Sequence, residues 1–255
     1  MDAGILGPVF GLAIFVFALV VFFKVIKVVF KVVFFLLIVG TVVCAFFGYY
    51  VYKDAMEFQE RFATEPKLFV YQHDGKLITA FRISAIEIGE IEQINATELI
   101  LYRKAFAQGN LEELLEGHYK ILIFSKEAFA SVETVSFGEL SFTKEDIFQV
   151  MESEDSRDAL IKLIAAKQGL PENVVEGTLA YENEEIKMLG FGMLIGKVFM
   201  QEGPLYLLKQ YREGNVAIYP ETIMFKLIKR FPERIFNLIM SKLQPEIWRK
   251  KHGVF

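Results

Sequence analysis

The chain has 255 residues, 53% of them hydrophobic, with 28 basic against 32 acidic side chains and a formal net charge of -4. That composition excludes a disordered chain, and its mild acidity, without a helix-turn-helix, RNA-recognition or zinc-finger pattern, argues against nucleic acid as a partner. One cysteine excludes an intramolecular disulfide framework and a Cys-based zinc site, while His73, His118 and His252 lack the near companions of metal ligands, so no cofactor or metal site is expected.

The first 52 residues carry only four charged side chains, Asp2, Lys24, Lys27 and Lys31. Two charge-free apolar runs, 5–23 and 32–52, are each long enough at ~1.5 Å per helical residue to cross a hydrocarbon core of ~30 Å. A soluble core helix rarely runs so far without a charge. A signal peptide needs a positive segment before its apolar run, whereas here Asp2 precedes and the lysines follow.

Lys24, Lys27 and Lys31 are spaced to share one helical face among valines and phenylalanines, the pattern of a helix lying at the headgroups with snorkelling lysines. One continuous helix over 5–52 would measure about 72 Å, more than twice the bilayer core. The sequence therefore predicts a hairpin of two transmembrane helices, kinked near Lys27 and Val28, even though 12–39 holds no Gly, Pro, Asn or Ser to mark the bend. Small residues favour close approach of membrane helices, and they occur as Gly7 and Gly11 on the first span and as Gly40, Cys44 and Gly48 on the second. A turn at Lys27 sets Gly7 opposite Gly48 and Gly11 opposite Cys44; the same faces could instead join two copies. The lysine-dense corner is expected in the cytoplasm, which makes this a multi-pass cell-membrane protein with its C-terminal domain outside, where the sequon Asn95-Ala96-Thr97 is compatible.

Residues 53–65 read as a helical stalk ending before Pro66. Two β-branched and aromatic runs, 68–73 and 76–83, flank Asp74-Gly75, the dipeptide favoured in type I′ turns, so a β-hairpin is expected there; 86–94 can add a strand. Asn95 and Glu98 have the spacing of a capping box for a helix closed by Gly109, and Asn110 repeats the cap for a shorter helix closed by Gly117. A strand over 119–124 and a smaller hairpin around Gly138-Glu139 complete an α+β part, 66–142. From Thr143 the pattern turns helical: Thr143 and Asp155 cap two helices, 182–201 is helical in period, 216–219 is extended, and Pro220 and Pro232 stand where a first-turn proline would begin further helices. The expected fold is thus α+β, a two-helix membrane anchor (1–52) and stalk followed by a mixed domain whose C-terminal subdomain, 143–255, is mainly helical.

Three stretches bear on function. Gly190, Gly192 and Gly196 interrupt an apolar helix too short to span, which signals close helix packing, or else a segment that dips into the membrane. Glu112, Glu113 and Glu116 beside His118 are the nearest thing to acid-base machinery, but charge runs usually form solvated faces, and no catalytic residue is assigned. Residues 221–255 hold eight basic side chains against three acids, and Trp248 precedes Arg249, Lys250 and Lys251, a composition suited to anionic headgroups or to an acidic partner. The expected function is an integral membrane protein that displays an interaction, assembly or sensing domain, with the bilayer, a membrane-protein partner or a second copy as its contacts. The alternative is a membrane-tethered enzyme.

Overall fold

A computed structural model describes residues 3–84, 91–138, 140–203, 205–234 and 236–237. The chain divides into two compact units, Met1–Lys53 and Asp54–Phe255.

The first unit consists of helix α1 (Ala3–Thr64), whose 62 residues span about 93 Å at ~1.5 Å each and whose last turns belong to the second unit. This corrects the expected hairpin. The backbone stays helical through Lys24, Lys27 and Lys31, because 12–39 contains nothing that interrupts the hydrogen-bond ladder. Bilayer thickness is a reason to bend that lies outside the chain, and no residue here encodes it. The internal pairing of small residues falls with the hairpin: along one helix Gly7 and Gly48 lie about 60 Å apart.

The second unit is built on a mixed five-stranded sheet. Strands β1 (Lys67–His73), β2 (Lys76–Ile83), β3 (Ile91–Gln93), β4 (Lys120–Phe124) and β7 (Val216–Tyr219) lie in the order β3-β2-β1-β4-β7; β5 (Thr134–Phe137) and β6 (Leu140–Thr143) pair separately. The Asp74-Gly75 turn forms as its sequence predicts, with φ of 49° and 73° at the two residues and antiparallel pairing of β1 with β2. β1 and β4 run parallel, joined by a crossover through α2 (Ala96–Ala107) and α3 (Leu111–Leu115). The remaining helices are α4 (Lys144–Glu152), α5 (Ser156–Gln168), α6 (Glu172–Thr178), α7 (Asn183–Glu202), α8 (Tyr206–Glu213) and α9 (Ile223–Arg230).

Alternation along the central strands separates two cores. Leu68, Val70, Ile121 and Ile123 face Leu99, Tyr102 and Leu114 of the crossover helices. Phe69, Tyr71, Leu122 and Phe124 face the other way, into an aromatic core with Phe148, Phe191, Tyr206, Tyr211 and Phe225. Both faces of β1 and β4 are covered, so these strands read as continuous apolar runs and not as alternating ones. The piece expected merely to be extended, Val216–Tyr219, is the fifth strand, paired antiparallel with β4. Helices α4, α7, α8 and α9 therefore pack on the sheet through the aromatic core.

Local signals resolve in three ways. Thr143 and Asp146 form a complete capping box on α4. At α2 only half of the expected box exists: the Asn95 side chain accepts from the Glu98 N–H at 2.8 Å, but the Glu98 carboxylate is drawn to Arg82 and Tyr102. Pro220 does not open a helix; the Tyr219–Pro220 bond is cis and α9 starts at Ile223. The expected stalk is packed, since Phe58 and Phe62 sit against the aromatic core and the Phe58 ring lies 5.1 Å from that of Phe225. Of the strand expected over 86–94, Ile91–Gln93 is present and 85–90 lie outside the described residues.

Candidate membrane interface and polar clusters

Burial of apolar side chains is the usual reason a helix as apolar as α1 exists in water, and in its most apolar window none is buried among the described residues. Among the described residues one helix is long and apolar enough to cross a membrane, with a mean hydropathy of 2.7 over its most apolar window and 0% of that window buried. Phe30, Phe34, Phe35, Leu36, Phe46 and Tyr52 are all exposed, on every side of the helix. Lys24, Lys27 and Lys31 are exposed among them. Gly40 and Gly48 have open space among the described residues where a side chain would begin, and Cys44 is exposed and free. The side chains of 1–14, around Gly7 and Gly11, are not described, and Trp248, Arg249, Lys250 and Lys251 lie outside the described residues. Upstream of them, α9 turns Phe225 and Ile228 inward and exposes Lys226, Lys229 and Arg230; Lys229 pairs with Glu221 at 2.8 Å.

The second unit carries three polar clusters that sequence spacing did not reveal. At the carboxyl ends of β1 and β4, where ligands of parallel sheets often bind, the fully buried Tyr71 hydroxyl donates to Glu152 Oε1 at 2.7 Å. His73 Nδ1 lies 3.4 Å from the same oxygen and Lys126 Nζ lies 3.6 Å from Oε2. Burial, then the Glu152 carboxylate, pushes the Tyr71 phenol far above its ordinary range. The Tyr71 hydrogen bond, with the Lys126 ammonium and the His73 ring close by, ties strand, turn and helix together at Glu152.

The second cluster surrounds Arg82 on β2. Its guanidinium donates to His118 Nε2 at 2.8 Å, Glu98 Oε1 at 2.6 Å and Glu92 Oε2 at 3.2 Å, while Tyr102 donates to Glu98 Oε1 at 2.7 Å. Glu112, Glu113 and Glu116, which the sequence set beside His118, are exposed, whereas His118 is buried and turned toward Arg82. Adjacency in the chain misled because the Gly117 turn separates the two directions.

The third is a pair of lysines in register at the amino ends of β1 and β4, Lys67 and Lys120, with 0% and 1% of their surface exposed. Each ammonium donates to a carbonyl, Lys67 to Phe62 near the end of α1 and Lys120 to Pro220. Desolvation holds both below the ordinary lysine value. A cation at a helix C-terminus is a favourable cap, which explains Lys67 without a ligand.

Two hollows lie among the described residues of the second unit. An open cleft of about 560 Å³ runs beside Glu202, Tyr206, Lys209, Arg212, Glu213 and Phe236; Lys209 lies 3.8 Å from Glu202, and Arg212 stacks 4.4 Å above Phe236. A smaller apolar hollow lies between the β5–β6 hairpin, α4, α5 and α7, walled partly by Gly190 and Met151. At Gly190 an added Cβ would come within 3.0 Å of Met151, so close packing of α7 on α4 accounts for this glycine, while Gly192 and Gly196 have open space. Among the described residues no group of three or more His, Cys, Asp and Glu could hold a metal ion. Comparison with known proteins gives no match: no family model fits the chain, no curated protein aligns with it, and no solved structure resembles it.

Proposed function

We propose that this chain is an integral membrane protein that uses α1 as its anchor and displays the mixed α/β unit as an interaction, assembly or sensing module. One observation carries the reading: α1 exposes phenylalanine, leucine and valine on all sides with none of its most apolar window buried, an arrangement stable in lipid and not in water. The apolar run 32–52 makes the crossing. Lys24, Lys27 and Lys31 then sit at one interface, and because lysine-dense short segments are retained in the cytoplasm, the domain lies outside. The run 5–23, continuous with it in α1, is covered by a partner or a second copy, and the domain faces outward. The basic C-terminal stretch supports contact with anionic headgroups.

The test has two parts. The chain should stay in the membrane pellet after alkaline carbonate washing, and protease added to intact cells should remove the C-terminal domain. Release into the carbonate supernatant would refute the anchor, and protection of the domain until lysis would reverse its orientation. A membrane-tethered enzyme is the second reading, favoured by the Tyr71, His73, Lys126 and Glu152 cluster at the carboxyl ends of the parallel strands. It requires that a Glu152→Gln chain keep its fold and its partners yet lose its biological activity.

A further inference from the structure

His118 sits in the turn between α3 and β4, 8% exposed, with both ring nitrogens committed. The Arg82 side chain can only donate, so the 2.8 Å contact from Arg82 Nε requires a lone pair on His118 Nε2. The Leu114 carbonyl can only accept, so Nδ1, 3.1 Å away, must carry the proton. The partners themselves thus fix a neutral imidazole. A second proton has one place to go, Nε2, where it would point at a guanidinium N–H.

We propose that His118 is an acid-sensitive latch, joining the α3–β4 turn to the outer strands of the sheet only while its imidazole is neutral. The inference does not depend on the membrane reading. Protonation breaks the latch on one side in particular, because Arg82 retains Glu98 and Glu92 and stays with β2, β3 and α2. Among the described residues no carboxylate lies within salt-bridge distance of the imidazole. Glu98 Oε1, the carboxylate oxygen on the facing helix, already accepts from Arg82 and from the Tyr102 hydroxyl. Of the groups that act on His118, Arg82 opposes its charge and Glu98 favours it, the backbone at Leu114 and Glu116 favours it, and Glu92 across the cluster feels its field. Burial outweighs these, and with Arg82 it holds the folded imidazole below its ordinary 6.5.

The sign follows by linkage. A base with a depressed folded pKa binds its proton more readily when released, so the closed latch is fully stable above about 6.5 and weakens as pH falls from there toward the folded value. Opening can grow at most about tenfold per pH unit in that window, since one proton is involved. Released, the turn would expose the buried edge of α3 and the start of β4, while the aromatic core on the other face is untouched.

The experiment is hydrogen exchange on the full chain in detergent micelles at pH 7.5 and 5.0, corrected for the intrinsic pH dependence of exchange. Peptides covering 109–119 should lose severalfold protection at pH 5.0, while those covering α7 hold theirs. His118→Gln retains an acceptor near the Nε2 position without titrating in this range, and it should hold protection at both pH values. Loss of protection that is equal in the wild type and in His118→Gln, or no loss in the wild type, would overturn the latch. Should the variant fail to fold, imidazole C2 exchange in the wild-type chain reads His118 directly: a midpoint below 6.5 supports the latch, and one at or above it refutes it.

Discussion

Helix α9 begins without the usual means of satisfying its N-terminal amides. Its first turn holds no acid, Thr222 makes no side-chain cap, and the Thr222 hydroxyl is itself buried without a partner among the described residues. The missing acceptor comes from 170 residues earlier: Asp54 Oδ2 accepts from the Met224 N–H at 2.7 Å. A hydrogen bond to a charged group contributes about 1.5–3 kcal/mol when buried, and the half-buried Asp54 warrants the lower part of that range, about 1–2 kcal/mol with its dipole contribution included. Asp54→Ala should therefore lower the midpoint of thermal unfolding by about 3–6 °C for a domain of this size, and Asp54→Asn, which keeps a neutral acceptor, by about half as much. Near-ultraviolet circular dichroism of the full chain in detergent reads the aromatic core and not the exposed length of α1. Glu57→Ala is the control, as Glu57 is exposed and pairs only with Arg61 on its own helix. Thr222→Asp should rescue Asp54→Ala by supplying the cap locally. If Asp54→Ala melts where Glu57→Ala does, or if Thr222→Asp rescues nothing, α9 does not depend on α1 for its cap and the end of α1 is a stalk after all.

The glycines of α7 should differ in sign. Gly190→Ala forces a Cβ to within 3.0 Å of the fully buried Met151 and costs about 1–2 kcal/mol by overpacking, whereas Gly192→Ala and Gly196→Ala meet open space and gain up to about 1 kcal/mol of helix propensity; thermal unfolding of the three variants separates them. At the Glu152 cluster, Tyr71→Phe removes the hydrogen bond from a carboxylate that keeps Lys126 and His73 close by and should cost about 1 kcal/mol. Glu152→Ala strands a buried phenol and should cost about 2–3 kcal/mol, so equal losses in denaturant unfolding would contradict the asymmetry.

What the sequence made legible was local. Asp74-Gly75 specifies its turn because both residues must take positive φ, and Thr143 specifies its cap because Asp146 lies one turn away. The sheet order was not legible. β4 and β7 are separated by 91 residues in sequence yet pair through Ile121–Tyr219 and Phe124–Val216, and a four-residue strand buried on alternate positions carries too little pattern to announce its partner. The polar clusters were hidden for the same reason: Tyr71 and Glu152 lie 81 residues apart, and Arg82 and His118 lie 36 apart. Glu98 shows how long-range contact overrides local grammar. Its spacing from Asn95 is right for a reciprocal box, yet a guanidinium and a phenol hold the carboxylate instead, because the guanidinium carries a full positive charge and the Asn95 N–H does not.

The continuity of α1 turns on the same distinction between what a chain encodes and what its surroundings impose. Every backbone group from Ala3 to Thr64 is in helix, and no residue over 12–39 offers a cheaper alternative, so the helix continues past the lysines. Lipid constrains a different quantity, the length of apolar surface that can be hidden. The run 32–52 fills one hydrocarbon core of ~30 Å by itself, which leaves 5–23, of comparable length, on the far side of three exposed lysines. Lysines at mid-bilayer cost about 2.5–3.5 kcal/mol each, so the membrane cannot simply take up the whole helix lengthwise. Under the proposed membrane reading, a continuous α1 leaves the first run to be covered by another helix. The open space at Gly40 and Gly48 and the exposed Cys44 leave a face along the second run where a helix backbone can approach closely.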